Sequence, residues 1–215
     1  SVISMNMLNT QFEKAISSNY THLSSRCGDI DQRYGHKYYN FIPYSYDIAK
    51  KQIKFALQKL NEKPRDISFI DAGCGIGNIM HAAKKLEIGK VDGIELDEKL
   101  ARFAKRKTKC DVFVDNIMTF DKYYDYDIVY SYSPISYYRT KEAFVIIVLS
   151  MLASRNKPSI FIANYFPRYN EDALDHYMKS VCANVNIKRI ENAPNQWGDW
   201  MDTMYLVNIK QHRRR

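Results

Sequence analysis

In the stretch Phe69-Ile70-Asp71-Ala72-Gly73-Cys74-Gly75-Ile76-Gly77-Asn78, an apolar run ends on an acid, passes through three glycines at alternate positions and opens into a helical stripe. Glycine tolerates positive φ and lets backbone approach a ligand closely. The helix start that follows presents unpaired N–H groups and the positive end of its dipole, which suits an anion. Strand, glycine turn and helix in that order open an α/β sheet.

On the N-terminal side, Tyr46, Ala49, Ile53, Ala56, Leu57 and Leu60 recur at helical spacing between Lys50, Lys51, Lys54 and Lys59. That predicts a helix opened by Pro43 and ended before Pro64. Residues 20–42 read as a long aromatic loop holding Tyr34, Tyr38, Tyr39 and Phe41, and the residues before it are weakly helical. On the C-terminal side the hydrophobic period alternates. Short apolar runs predict strands over 67–70, 91–94, 112–114, 126–132, 159–163, 184–190 and 204–209. Between them, Ile76, Ile79, Met80, Ala83 and Leu86 mark a helix, as do Leu100, Phe103 and Ala104, the run 143–152, and residues 173–181. Such alternation gives a mostly parallel, doubly wound sheet, whose ligands bind at the carboxyl ends of the strands near the switch point.

Composition narrows the class. At 215 residues, 46% hydrophobic and 26% charged, the chain suits one domain with a sizeable core. The ten residues from Ala143 to Leu152 are about half the roughly 20 that a membrane span needs, so they read as a buried helix. No charged segment followed by an apolar run opens the sequence, so a signal peptide is not expected. Cys27, Cys74, Cys110 and Cys182 are scattered, and the five His show no ligand spacing. Neither a disulfide framework nor a zinc site is expected, and a reducing cytosol fits. The net charge of +8 permits nucleic acid as a partner without requiring it. Basic residues from Lys99 to Lys109 and in the tail Arg213-Arg214-Arg215 read as a solvated face and a frayed end.

Acids recur where a ligand needs them. Glu95 ends the second strand, where a carboxylate can accept both hydroxyls of a ribose. Asp115-Asn116 ends the third, where a carboxylate can take an adenine amino group; Asp115 is also suited to capping the next turn. The fourth strand runs into Ser131-Tyr132-Ser133-Pro134 beside the same pocket. A nicotinamide dinucleotide would favour G-x-G-x-x-G, and here the third position is Asn78. Asp71, two residues before the first glycine, instead suits a ligand ammonium. Cys74 reads as a small packing residue rather than a nucleophile.

These residues resemble the class I S-adenosylmethionine-dependent methyltransferase family. Asp71-Ala72-Gly73-Cys74-Gly75-Ile76-Gly77 is similar to its acidic residue plus G-x-G-x-G loop, with Glu95 at the ribose acid and Asp115 at the adenine acid. The resemblance covers residues 40–210. It implies a seven-stranded, mostly parallel sheet with an antiparallel C-terminal hairpin strand, preceded by N-terminal helices. It divides the chain into a helix and aromatic lid segment, 1–45, and a cofactor-binding domain, 46–215. It implies contacts to S-adenosylmethionine from Asp71, Ala72, Gly73, Cys74, Gly75, Gly77, Asn78, Glu95, Leu96, Asp115, Asn116, Ser131 and Tyr44, with Tyr132 and Ser133 at the reacting centre.

The turn after the fourth strand bears on the acceptor. Family members that methylate exocyclic or amide nitrogens carry Asn or Asp, then Pro-Pro and an aromatic, there. Ser133-Pro134-Ile135 lacks that amide or carboxylate. The Tyr-rich segment ahead of residue 46 looks like the lid of many members, with a looser similarity to protein-lysine methyltransferases. The expectation is a methyltransferase acting on a protein side-chain amine, ahead of a small molecule and then RNA. The alternative of another class is a methyltransferase fold that has lost turnover and serves as a binding module; an intact loop with both acids argues against it.

Overall fold

The computed structural model describes residues 4–17, 44–135, 137–181 and 184–209. The loop expected over 20–42, Pro43, Cys27, Cys182 and the basic tail lie outside them. In chain order the elements are α1 (Met5–Ala15), α2 (Tyr46–Leu60), β1 (Ser68–Ala72), α3 (Asn78–Lys85), β2 (Lys90–Glu95), α4 (Glu98–Thr108), β3 (Asp111–Val114), β4 (Ile128–Tyr132), α5 (Tyr138–Ala153), β5 (Ser159–Asn164), α6 (Glu171–Val181), β6 (Val185–Arg189) and β7 (Asp202–Ile209). Local chemistry sets several ends. Ser4 and Ser45 cap α1 and α2 by accepting from the N–H groups of Met7 and Ile48. Asn61 and Lys109 close α2 and α4 in the left-handed region.

The seven strands form one sheet in the order β3-β2-β1-β4-β5-β7-β6. Neighbours from β3 to β5 pair in parallel, and β7 runs antiparallel to both β5 and β6. This is the doubly wound, seven-stranded architecture expected from the sequence. Strand alternation divides the core between two faces. Val129, Phe161 and Ala163 face Phe144, Val148 and Leu149 of α5. Ile128, Tyr130, Ile160 and Ile162 face Ile53 and Ala56 of α2 and Met80 of α3. α1 lies over this second layer, its Leu8, Phe12 and Ala15 packed on Ile76 of the glycine turn and Phe103 of α4. Among the described residues no helix is long and apolar enough to cross a membrane.

Four of the boundaries that differ from the sequence reading have a visible structural reason. β4 begins at Ile128 rather than 126, because a 3-10 turn over Tyr123–Asp125 precedes it and the Tyr126 hydroxyl donates to Asp92 at 2.6 Å. α5 starts at Tyr138, five residues before its apolar run, with Lys141 buried in the first turns and bonded outside the helix. β5 and β7 are longer because Asn164 pairs with Asp202 and Ala163 with Thr203.

At the amino ends of the strands, Asp127 is fully engaged. Its carboxylate accepts from Arg155 at 2.6 Å, from Lys157 at 2.8 Å, and from the backbone and hydroxyl of Ser68 at 2.8 and 3.0 Å. That cluster locks the start of β1 to β4 and to the turn after α5.

Candidate active site

The carboxyl ends of β1, β2 and β4 meet at the switch point of the sheet, and the glycine turn lies across them. After Ala72 the chain folds back: the N–H groups of Gly73 and Cys74 both donate to Ile94 O, at 2.9 and 2.8 Å. Gly73, Gly75 and Gly77 have φ of +82°, +54° and +89°, a region unfavourable for other residues. A Cβ on Gly73 would sit 2.9 Å from Pro134 Cγ, so the turn after β4 rests directly on the glycine turn. A Cβ on Gly93 would strike Cys74 Sγ and Met80 Sδ, at 2.8 and 2.5 Å. Cys74 therefore fills a packing slot. Burial, with Asp71 and Glu95 nearby, pushes its thiol pKa well up, away from the thiolate.

Asp71 is 3% exposed, and among the described residues none donates to its carboxylate. Burial, then the charge of Glu95, pushes its pKa well above the usual carboxylate value. At the start of α3, Asn78 Nδ2 is also buried without an acceptor. A buried carboxylate and a buried amide donor, both unpaired at one strand end, are what a bound group with an ammonium and an acceptor would satisfy. Glu95 is held in place: its Oε2 accepts from Gly75 N–H at 2.8 Å and its Oε1 from Asp97 N–H at 3.0 Å. Each oxygen retains a second lone pair. Burial raises its pKa against those two bonds. Leu96 and Val114, apolar and exposed, flank the ends of β2 and β3. Asp115 Oδ1 caps its own turn, accepting from Asn116 N–H and Thr119 Oγ1, while Asn116 Oδ1 accepts from Met118 N–H.

The sequence-derived residues after β4 divide. Tyr132 is half-buried, its ring 5.2 Å from that of Tyr44 and 6.2 Å from that of Tyr165. Ser131 is fully buried and donates to Ala72 O at 2.9 Å, tying β4 to β1. Ser133 Oγ donates to Ile135 O and accepts from Ile135 N–H inside its own turn. Tyr44 is 1% exposed, and its hydroxyl donates to Asp202 at 2.7 Å. Burial first, then Asp202, raises the Tyr44 pKa, so the hydroxyl stays protonated. Tyr44 thus stands behind Tyr132, and the hydroxyls of the two serines donate to backbone carbonyls, keeping their lone pairs.

Several residues here escape sequence reasoning. A buried polar network fills the space beneath Tyr132. Gln52 Nε2 donates to Asn164 Oδ1 at 2.8 Å, Asn164 Nδ2 to the Tyr130 hydroxyl at 2.8 Å, and that hydroxyl to Gln52 Oε1 at 3.2 Å. Asp202 accepts from Tyr44, from the N–H groups of Gln196 and Trp197, and through its other oxygen from Tyr165 N–H at 3.0 Å. Tyr165 packs 5.2 Å from the Trp197 ring, completing a row of rings from four separate segments. One signal was present: Gln52 lies on the apolar stripe of α2, three residues from Ala49 and four from Ala56, where a polar residue must find buried partners.

Comparison with known proteins settles the family. The sequence model of the family described as "Histone methylation protein DOT1" matches residues 29–142, more than half of the chain. The chain belongs to the DOT1 family. Solved structures agree at the level of fold. The plantazolicin methyltransferase BpumL in complex with SAH is 12% identical with a TM-score of 0.57, over 95% of this chain and 98% of its own. Magnesium protoporphyrin IX methyltransferase (ChlM) from Synechocystis PCC 6803, with bound SAM, is 16% identical with a TM-score of 0.54, over 98% and 100%. An S-adenosylmethionine-dependent methyltransferase from Clostridium acetobutylicum ATCC 824 is 11% identical with a TM-score of 0.54, over 78% and 93%. No curated protein sequence matches. This DOT1-family chain is an S-adenosylmethionine-dependent methyltransferase. The unpaired Asp71 and Asn78 and the left-handed glycines fit that cofactor.

Proposed function

We propose that this enzyme methylates a side-chain amine of a protein, with lysine as the acceptor. The observation that carries the reading is the row of rings, Tyr132, Tyr165 and Trp197, at the carboxyl ends of β4 and β5. A lysine is an apolar stem ending in an ammonium. Ring faces exclude water from the stem and admit the cation, while desolvation favours loss of its proton, leaving the neutral amine as nucleophile. Ser133, its hydroxyl closed within its own turn, supports the same reading, because an amide or base nitrogen would find no side-chain amide or carboxylate there. The family description, histone methylation, also points to a protein acceptor.

In this proposal Asp71 takes the ammonium of S-adenosylmethionine. Glu95 takes the ribose hydroxyls on its remaining lone pairs. Asp115 and Asn116 meet the adenine edge, and Leu96 lies against its face. Ala72, Gly73, Cys74, Gly75, Gly77 and Asn78 form the cradle. The bound cofactor supplies a methyl group on a sulfonium, already activated for displacement. The protein's part is to align the amine, keep the site dry and let one proton leave. Tyr132 touches the acceptor, and Tyr132→Ala is expected to lower turnover tenfold, about 1.4 kcal/mol of barrier, with the affinity for S-adenosylhomocysteine little changed.

The deciding experiment is transfer of tritiated methyl from S-adenosylmethionine into a cell lysate, counted separately in protein, RNA and small-molecule fractions. Label in protein, recovered as methyllysine after acid hydrolysis, is the expected result. Label confined to RNA or to small molecules would overturn the lysine assignment.

A further inference from the structure

Tyr165 follows the last residue of β5 with φ +61°, in the left-handed region that a bulky side chain rarely enters. Backbone strain of this kind persists only where the surroundings over-determine it, and it gathers at functional sites. Here the surroundings are two charged groups, one on each side of the same residue. Asp202 Oδ1 accepts from Tyr165 N–H at 3.0 Å, and Lys141 Nζ donates to Tyr165 O at 2.9 Å. Lys141 is 7% exposed and its ammonium also lies 4.6 Å above the Tyr165 ring. A buried ammonium is costly to desolvate, and burial lowers its pKa. The Asp202 carboxylate also accepts from Trp197 N–H at 2.9 Å and from Tyr44. One carboxylate thus fixes the segments carrying three of the four rings, while Tyr165 itself remains 40% exposed.

We propose that Asp202 and Lys141 are positioning residues that hold Tyr165 in its strained conformation so that its ring, with that of Trp197, forms the mouth through which the acceptor reaches the ends of β4 and β5. The proposal rests on the acceptor approaching over these rings, as in the preceding reading, but not on the acceptor being lysine. Packing alone would account for buried rings. It does not account for a half-exposed ring kept in an unfavourable backbone conformation by a buried ammonium. Asp202 and Lys141 touch neither the glycine turn nor Glu95, so the clamp acts on the acceptor and not on the cofactor.

The test compares wild type with Lys141→Met, Lys141→Arg and Tyr165→Gly, each measured three ways. Calorimetry gives the affinity for S-adenosylhomocysteine. Acrylamide quenching of tryptophan fluorescence reports the order of the Trp197 segment. Methyl transfer at varied concentrations of whichever lysate fraction the wild type labels separates KM from kcat. Lys141→Met and Tyr165→Gly are expected to keep S-adenosylhomocysteine affinity within twofold and to raise the acceptor KM at least fivefold, with a smaller change in kcat. Lys141→Met should raise quenching, and Lys141→Arg, which keeps a donor, should recover most of the loss. Unchanged KM and quenching in Lys141→Met would overturn the proposal. So would a parallel loss of S-adenosylhomocysteine affinity, which would mark the clamp as general scaffolding. Label entering RNA or small molecules instead of protein would refute the lysine reading, and the same variants assayed on that fraction would still decide the clamp.

Discussion

Asp71 in β1 and Asp127, the residue just before the neighbouring β4, are each 3% exposed, and they behave in opposite ways. Burial pushes the Asp127 pKa upward, but hydrogen bonds from Lys157 and Ser68 and the charge of Arg155 outweigh it and hold the group below the usual carboxylate value. Among the described residues Asp71 has no such donors, and burial with Glu95 beside it drives its pKa well up. Low exposure by itself therefore does not say what a carboxylate is for. The amino end of the sheet completes its charge internally and is structural. In the reading proposed above, a ligand completes the charge at the carboxyl end.

The largest effect should come from breaking the completed end. Asp127→Ala leaves Arg155 buried without its partner and is expected to cost about 3–5 kcal/mol in urea unfolding. Cofactor affinity of the folded fraction should be unchanged. A loss below about 1 kcal/mol would erase the contrast, since exposed pairs are worth no more than that. Next in size is Glu95→Ala. S-adenosylhomocysteine affinity measured by calorimetry should fall by about 2–3 kcal/mol, the range for hydrogen bonds to a charged group, with little loss of stability. An unchanged dissociation constant would remove Glu95 from the site.

The sharpest comparison uses pH. A carboxyl whose folded pKa is raised holds a proton that the unfolded chain has already released. Asp71 should therefore make the unliganded protein less stable as pH rises from the ordinary Asp range toward its raised folded value. S-adenosylmethionine affinity should run the other way over that window, rising with pH, because the ionised carboxylate holds the ammonium. Asp71→Asn should flatten both slopes relative to wild type. Slopes of the same sign in wild type would contradict the assignment. The smallest effect belongs to α4, where Arg102 pairs with Glu98 and Lys105 with Asp111, all exposed. Reversing Arg102 and Lys105 to Glu should cost under about 1 kcal/mol in stability and leave turnover within twofold. A large loss of both activity and RNA binding would bring nucleic acid forward as the acceptor.

The glycine turn, Asp71, Glu95 and Asp115 are legible in the sequence because each sits where a local pattern changes, at the end of an apolar run or in a run of glycines. The sheet is legible for the same reason. The row of rings and the polar network beneath it are not. Gln52 and Asn164 find each other across 112 residues of chain, and Tyr44 and Asp202 across 158. Asp202 reads as loop until its pairing with Asn164 lengthens β7, and Asn164 reads as a residue just past the strand. No periodicity foretells that one carboxylate serves three segments, or that Tyr165 adopts positive φ without glycine. The Ser131-to-Pro134 turn hides its detail in a different way: nothing in the sequence says that both serine hydroxyls donate to backbone carbonyls within reach.

The contact between Gly73 and Pro134 sets a rule for anyone who re-engineers this enzyme. Acceptor preference is the natural target for loop grafting, and the turn after β4 is the natural loop to exchange. Here the back of that turn rests on the glycine turn, which the proposed reading makes the cofactor cradle, with only the missing Cβ of Gly73 making room for the proline ring. A graft without proline at position 134 would open a gap behind the cradle, and a graft beside Ala at position 73 would collide with it. The two substrates' loops are therefore not separable modules, and a transplanted specificity must bring its own glycine and proline together.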